Sequence, residues 1–184
     1  ILGTLTLDPL SLKTGRNLIP LIDPGQKGHL LERITLIRYQ IGQGLGFVIP
    51  GVRVMDDLSL SPNQYVIEIR GTRVSAGEAL IGNHRVDATL AELRAKKITG
   101  TEARNPLTQE VITWVPDEQL PALQKFGILA KSPVEVISDH FEAIIRRFKR
   151  ACEKAGTLTK LRQSARFEKP SIQRAKAAAA AKKR

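Results

Sequence analysis

Two stretches of the chain carry apolar residues at helical spacing. The first stripe, which predicts one amphipathic helix, runs through Leu30, Leu31, Ile34, Ile37, Ile41 and Leu45. The second runs through Ile137, Phe141, Ile144, Ile145, Phe148, Cys152 and Ala155. Ahead of it, Ser132, Pro133 and Glu135 form a capping box with proline at the first helical position. No breaker intervenes before Gly156, so the pattern predicts a single helix of about six turns.

Shorter runs of β-branched and aromatic residues predict strands between these helices. "QYVIEIR" (64–70) alternates like a half-buried strand, and "GTRVSAGEAL" (71–80) is its predicted antiparallel partner. "EVITWV" (110–115) and "ILAK" (128–131) predict two more. "NLIPLID" (17–23) predicts a buried strand whose Pro20 marks an edge or bulge, and "GFVIPGVRVMD" (46–56) a strand broken at Pro50. Residues 82–110 are predicted to be irregular, apart from a short helix at "ATLAELRAK" (88–96).

The predicted fold class is α+β, with a mixed sheet and packed helices in a front domain over residues 1–140. A helical, basic C-terminal extension follows over residues 141–184. Its later part predicts a second short helix in "TLTKLRQSAR" (157–166) and an alanine-rich helical tail in "IQRAKAAAAAKKR" (172–184). An isolated helix as featureless as this tail should fray in water.

The net charge of +11 is confined to the extension. Residues 1–140 hold 15 Lys and Arg against 15 Asp and Glu, whereas residues 141–184 hold 14 against 3. "RRFKRACEKAG" (146–156) is the most basic stretch, and it continues the second apolar stripe. Such asymmetry indicates a polyanionic partner at one end, either nucleic acid or an anionic membrane surface.

The residue pattern offers no enzyme site. His29, His84 and His140 lack metal-ligand spacing, and no serine, histidine and acid form a nucleophile arrangement. The single cysteine, Cys152, excludes an internal disulfide and is predicted to pack as a small apolar side chain. The longest uncharged run has 14 residues, too few for a spanning helix. We therefore expect no catalysis, metal, cofactor or small-molecule substrate, and no membrane span in this chain.

Residues 141–184 resemble the bacterial small-subunit ribosomal protein family that carries the number twenty-one. The resemblance rests on "RRFKR" (146–150), "CEKAG" (152–156), "EKP" (168–170) and "RAKA" (174–177). It implies binding of ribosomal RNA near the 3′ end of the small-subunit rRNA. The predicted RNA-binding residues are Arg146, Arg147, Lys149, Arg150, Lys154, Lys160, Arg162, Arg166, Phe167, Lys169, Arg174 and Lys176.

Residues 8–140 resemble the cytosolic part of the FHIPEP family, the export-gate proteins of flagella and type III secretion. The resemblance rests on "NLIPLID", "LLERITLIRYQ" (30–40), "LGFVIPGVRVMDDLSLSPNQYVIEIRG" (45–71) and "PVEVISDH" (133–140). Two positions depart from the family's pattern. "NPLTQE" (105–110) lacks the usual phenylalanine and glycine, and Asp139 replaces the usual threonine before His140. The resemblance implies that these positions help to dock export chaperones.

Together the two resemblances predict a fusion. Its predicted function is an rRNA-binding structural component of the small ribosomal subunit, cytoplasmic and ribosome-associated, with the front domain as an accessory body. The predicted partners are small-subunit rRNA and ribosomal proteins, and export-apparatus proteins are a further candidate. The alternative is a type III or flagellar protein-export component with an accessory basic RNA-binding tail. A third hypothesis is a membrane-surface protein that lays its basic helix on anionic lipid.

Overall fold

A computed structural model describes residues 10–23, 25, 28–45, 49, 51–104 and 110–154 of the protein. These residues form two four-stranded β-sheets. Sheet A is built from β1 (Leu10–Thr14), β2 (Val52–Asp56), β3 (Gln64–Ile69) and β4 (Thr72–Glu78), in the order β2-β1-β3-β4. β1 pairs parallel with β2, and the other two pairings are antiparallel. The prediction of a mixed sheet is therefore confirmed.

The β3–β4 hairpin turns through two residues with positive φ, Arg70 at 49° and Gly71 at 74°. Positive φ at both central positions is typical of the turn that matches the twist of paired strands. The predicted partnership of residues 64–70 with residues 71–80 is thus confirmed. The predicted half-burial of the strand is wrong, because Tyr65, Val66 and Ile67 are all buried.

Sheet B is entirely antiparallel. It consists of β5 (Asn83–Val86), β6 (Thr101–Arg104), β7 (Val111–Pro116) and β8 (Ala130–Lys131), in the order β6-β7-β5-β8. Two short helices, α3 (Leu90–Ala95) and α4 (Leu120–Lys125), complete its core. The buried cluster there contains Val86, Leu93, Ile98, Val115 and Leu123. Strands β7 and β8 and helix α3 were expected from the sequence, whereas β5 and β6 correct the prediction of an irregular segment.

The segment "NLIPLID" is not a strand. A 3-10 turn at Arg16–Leu18 runs into a single helical turn, α1 (Ile19–Ile22), with Pro20 in its first turn. Proline is well tolerated there, because the first helical N–H groups have no partner inside the helix. The strand that pairs with β2 and β3 is instead β1, which lies just before this segment.

Both long helices agree with the apolar periodicity. Helix α2 (Leu30–Leu45) buries Leu30, Ile34, Ile37 and Ile41 along one side. Helix α5 (Pro133–Lys154) begins at the predicted capping box: the Ser132 hydroxyl accepts from the Glu135 backbone N–H at 3.3 Å, and the Glu135 carboxylate accepts from the Ser132 backbone N–H at 2.8 Å. The α5 helix is continuous across residues 138–146, as predicted.

The α+β fold class is confirmed for the described residues. They divide into two units, with the boundary between Ile144 and Ile145, and α5 contributes to both. The proposed domain boundary at residue 140 stays a prediction. The second short helix and the alanine-rich tail lie outside the described residues.

Candidate functional site

A cleft of about 300 Å³ opens in the unit formed by residues 1–144. Sheet A, sheet B and α5 all contribute to its walls. The lining side chains are Tyr65, Gly77 and Glu78 from sheet A, Arg85, Ile112 and Lys131 from sheet B, Val136, Asp139 and His140 from α5, and Glu110 just before β7. Apolar side chains and charges of both signs therefore share one concave surface.

His140 joins the α5 wall to sheet A through both of its ring nitrogens. Its Nδ1 lies 2.8 Å from the Tyr65 hydroxyl, and its Nε2 lies 2.7 Å from the Ser75 Oγ. The rings of Tyr65 and His140 also meet edge to face, with centroids 5.7 Å apart. Tyr65 and Ser75 are buried, so these contacts are largely shielded from solvent.

The glycine at position 77 makes room for the Tyr65 ring. Strand register places Tyr65 opposite Gly77 and Ile67 opposite Ser75, so Tyr65 and Ser75 extend from the same face of sheet A. A Cβ at residue 77 would lie only 2.4 Å from the Tyr65 hydroxyl oxygen. Because Gly77 has no side chain, the Tyr65 ring can pack over residue 77, and its hydroxyl can reach His140.

Neighbouring charges, hydrogen bonding and burial shift the pKa values of three groups in the cleft. Lys131 donates to Asp139 at 2.8 Å, and this hydrogen bond, with the Asp139 charge, raises the pKa of Lys131. Burial, aided by the positive charge of Arg85, lowers the pKa of His140. Burial also raises the pKa of Tyr65, so its phenol stays protonated. At neutral pH the network therefore consists of an uncharged imidazole between two hydroxyl groups.

The residue pattern around His140 shows no metal-ligand spacing and so does not mark it as a site residue. Tyr65 lies 75 residues from His140, and Ser75 lies 65 residues away. No local spacing can reveal contacts at such separations. The one signal in the sequence is the resemblance to the FHIPEP family, which points to Asp139, the residue just before His140. The other two histidines face single carboxylates: His29 pairs with Glu32 at 3.4 Å and His84 with Asp117 at 2.8 Å.

Five of the predicted RNA-binding residues lie on the part of α5 that follows residue 144. Arg146, Arg147 and Arg150 are exposed on α5, and Lys149 is partly buried. Lys154 ends α5. The remaining seven lie outside the described residues: Lys160, Arg162, Arg166, Phe167, Lys169, Arg174 and Lys176. A role for these basic residues in binding a polyanion stays a prediction.

The sequence also predicts that the chain has no membrane span and no metal site. Among the described residues, no helix has the length and apolar character needed to cross a bilayer. Within the same residues, no group of three or more His, Cys, Asp and Glu side chains is placed to hold a metal ion. The expectation that the chain is not an enzyme stays a prediction.

Comparison with known proteins identifies the family. The profile of the FHIPEP family matches residues 1–174. The chain belongs to the FHIPEP family. The flagellar biosynthesis protein FlhA of Bacillus subtilis is 33% identical over 147 residues, which is 80% of this chain and 21% of that protein. This FHIPEP-family chain spans about a fifth of the length of the curated relatives it matches.

Solved structures share the fold of this FHIPEP-family chain. A cytoplasmic domain of Salmonella InvA aligns with a TM-score of 0.61 and 20% identity, covering 92% of this chain and 95% of that domain. A chain of the Chlamydia pneumoniae CdsV and CdsO protein complex aligns with a TM-score of 0.59 and 21% identity, covering 77% of this chain and 42% of the other. At these identities the likeness establishes the fold alone.

The prediction of an rRNA-binding component of the small ribosomal subunit is wrong. The FHIPEP profile extends to residue 174, so it includes most of the segment assigned to a ribosomal protein. Curated relatives such as FlhA of Bacillus subtilis are flagellar proteins, and none of the comparisons supports a ribosomal fusion, rRNA or ribosomal protein partners, a role in translation, or association with the ribosome. A basic amphipathic helix suits several anionic partners, which explains why the short resemblance misled. The comparisons favour the alternative, a component of flagellar or type III protein export.

Proposed function

We propose that this FHIPEP-family chain is a cytoplasmic protein-docking domain of a flagellar or type III export component, and that partner proteins bind in its cleft. The observation that carries the proposal is the place of Asp139. The family resemblance implies a docking role for this position, and the Asp139 side chain lines the cleft. Glu110, the last residue of the other implied docking segment, lines it too.

The chemistry of the cleft suits a polypeptide. Ile112 and Val136 offer apolar contacts, and Arg85, Glu78 and Lys131 offer charges of both signs. Such a cleft complements a partner protein that presents an apolar side chain as an anchor with polar groups around it. In Chlamydia pneumoniae, CdsV and CdsO form a protein complex whose structure is solved, which supports partner binding as a property of a protein with this fold.

Direct binding tests the proposal. The purified full chain is titrated with flagellar chaperone–substrate complexes from the same genome, by isothermal titration calorimetry. We expect Asp139→Lys to weaken binding by about tenfold, which is about 1.4 kcal/mol, because it reverses a charge in the cleft beside Lys131. Asp117→Lys is the matched control, since Asp117 is also about half exposed and paired with a base, and it is not among the cleft-lining residues.

Two results would contradict the proposal. One is the absence of binding by the wild-type chain to every complex. The other is an equal loss in Asp139→Lys and Asp117→Lys, which would show that the partner responds to overall charge rather than to the cleft.

A further inference from the structure

His140 occupies a particular place on α5. Val136, Asp139 and His140 are spaced so that they follow one another along one face of the helix. All three line the cleft, and His140 alone among them is bonded to sheet A, at 2.8 Å to Tyr65 and 2.7 Å to Ser75. A displacement of His140 from sheet A would therefore carry Val136 and Asp139 with it.

The hydrogen-bonding capacity of the three groups assigns the protons. A neutral imidazole has one donor nitrogen and one acceptor nitrogen. The protonated phenol of Tyr65 supplies a donor, so we assign Tyr65 O–H to donate to Nδ1 and Nε2–H to donate to the Ser75 Oγ. If His140 took up a second proton, Nδ1–H would oppose the Tyr65 O–H, and the phenol would have to turn its proton elsewhere.

The surroundings of His140 also oppose a positive charge. The titratable and charged groups that line the cleft around it are Tyr65 on β3, Glu78 on β4, Arg85 on β5, Glu110 before β7, Lys131 on β8 and Asp139 on α5. Asp139 is engaged by Lys131 at 2.8 Å. Burial of the ring and the charge of Arg85 lower the pKa of His140, in that order of importance. Geometry and charge thus favour the neutral form together.

We propose that His140 is a positioning residue for the cleft: its neutral ring, bonded to Tyr65 and Ser75, holds Val136 and Asp139 in place, and protonation releases this wall and weakens partner binding. The inference rests on the proposed docking function of the cleft. It adds a dependence of partner binding on pH that a purely structural packing role for His140 would not produce.

The first test measures binding of the chaperone–substrate complexes against pH. Between about pH 7.5 and about pH 5.5, an imidazole with the ordinary pKa of 6.5 would lower the affinity about tenfold, so we expect wild-type affinity to fall by less than this, because the pKa of His140 is lowered. His29→Gln, which removes an imidazole that is 71% exposed, should show the same fall. His140→Gln should bind more weakly at the higher pH and lose most of the dependence. A dependence that persists in folded His140→Gln would overturn the inference.

A second variant keeps the imidazole. Tyr65→Phe removes the phenol that donates to Nδ1, and this donation favours the neutral ring. The midpoint of the binding loss should therefore move to higher pH in Tyr65→Phe. An unchanged midpoint in this variant would overturn the assigned proton arrangement and the inference with it.

The third test needs no partner. The ¹⁵N resonances of the imidazoles are followed by NMR during a pH titration of the full chain, and amide hydrogen exchange is measured at the same pH values. We expect His140 to titrate below the ordinary histidine pKa of 6.5, and amides 136–140 to lose protection relative to the α2 amides as His140 protonates. If wild type binds no complex at any pH, the docking proposal fails, and this exchange result still decides the positioning role. Titration of His140 at or above the ordinary histidine pKa of 6.5, or titration without a change in exchange, would overturn the inference.

Discussion

The contact between Tyr65 and Gly77 leads to a sharp prediction for Gly77→Ala. An added Cβ would lie 2.4 Å from the Tyr65 hydroxyl oxygen, 2.5 Å from Cζ and 2.9 Å from Cε1. Carbon atoms in favourable contact are about 3.5–4.0 Å apart. The Tyr65 ring is only 2% exposed, so it cannot swing into solvent to relieve the overlap. The ring must shift, and its hydroxyl must move relative to His140.

Three contributions set the expected size of the effect. Overpacking a buried site costs about 1–3 kcal/mol. Loss of one neutral hydrogen bond costs about 1 kcal/mol more. Replacing glycine by alanine restricts the unfolded chain, which offsets about 0.4–1 kcal/mol of this loss. We therefore expect Gly77→Ala to lower the free energy of unfolding by about 2 kcal/mol.

Urea unfolding followed by tryptophan fluorescence measures this change. Trp114 is the single tryptophan and is fully buried, so its emission reports loss of the folded state. Gly51→Ala is the matched control, because a Cβ at residue 51 would meet no atom within 4 Å. We expect this control to be neutral or slightly stabilising, by about 0.5 kcal/mol. If the two variants unfold at the same urea concentration, the argument that Gly77 accommodates the Tyr65 ring is refuted.

Further predictions concern α5. Phe141→Ala should cost about 3–5 kcal/mol in urea unfolding because Phe141 is fully buried, whereas Phe148→Ala, at a side chain that is 47% exposed, should cost about 1 kcal/mol or less; equal losses would contradict the burial pattern. Ser132→Ala should cost about 1 kcal/mol through loss of the helix cap, and an unchanged urea midpoint would show that the capping box does not contribute. For His140, folding lowers the pKa from its ordinary value of 6.5, so the unfolded chain binds more protons in the window between the lowered value and 6.5. Stability should be full above this window and fall as pH decreases through it, and urea midpoints at several pH values should show the fall in wild type but not in His140→Gln.

Periodicity predicted the elements whose own residues determine their structure. The apolar stripe of α2 is confirmed by burial of Ile34, Ile37 and Ile41. The start of α5 was predictable because the capping box is a short-range motif that Ser132 and Glu135 complete by themselves. The hairpin of β3 and β4 was predictable for the same reason, since Gly71 supplies the turn locally.

Elements that depend on distant partners were not predictable in this way. β5 and β6 carry few apolar residues, and both form strands by pairing with β7. β7 begins more than twenty residues after the start of β5. "NLIPLID" reads as a strand because of its apolar residues, yet Pro20 suits the first turn of α1 equally well. The contacts around His140 could not be predicted from the sequence for the same physical reason, because Tyr65, Ser75 and His140 meet only in the folded chain.

The two sheets occupy separate stretches of the chain, and this has a consequence for folding during synthesis. Sheet A uses residues between Leu10 and Glu78, whereas sheet B uses residues between Asn83 and Lys131. Each sheet can therefore pair as soon as its own stretch has left the ribosome, without waiting for the other. The bonds from His140 to Tyr65 and Ser75 form only after both stretches are complete, so a nascent chain that stops short of α5 would hold both sheets but leave the cleft without its third wall.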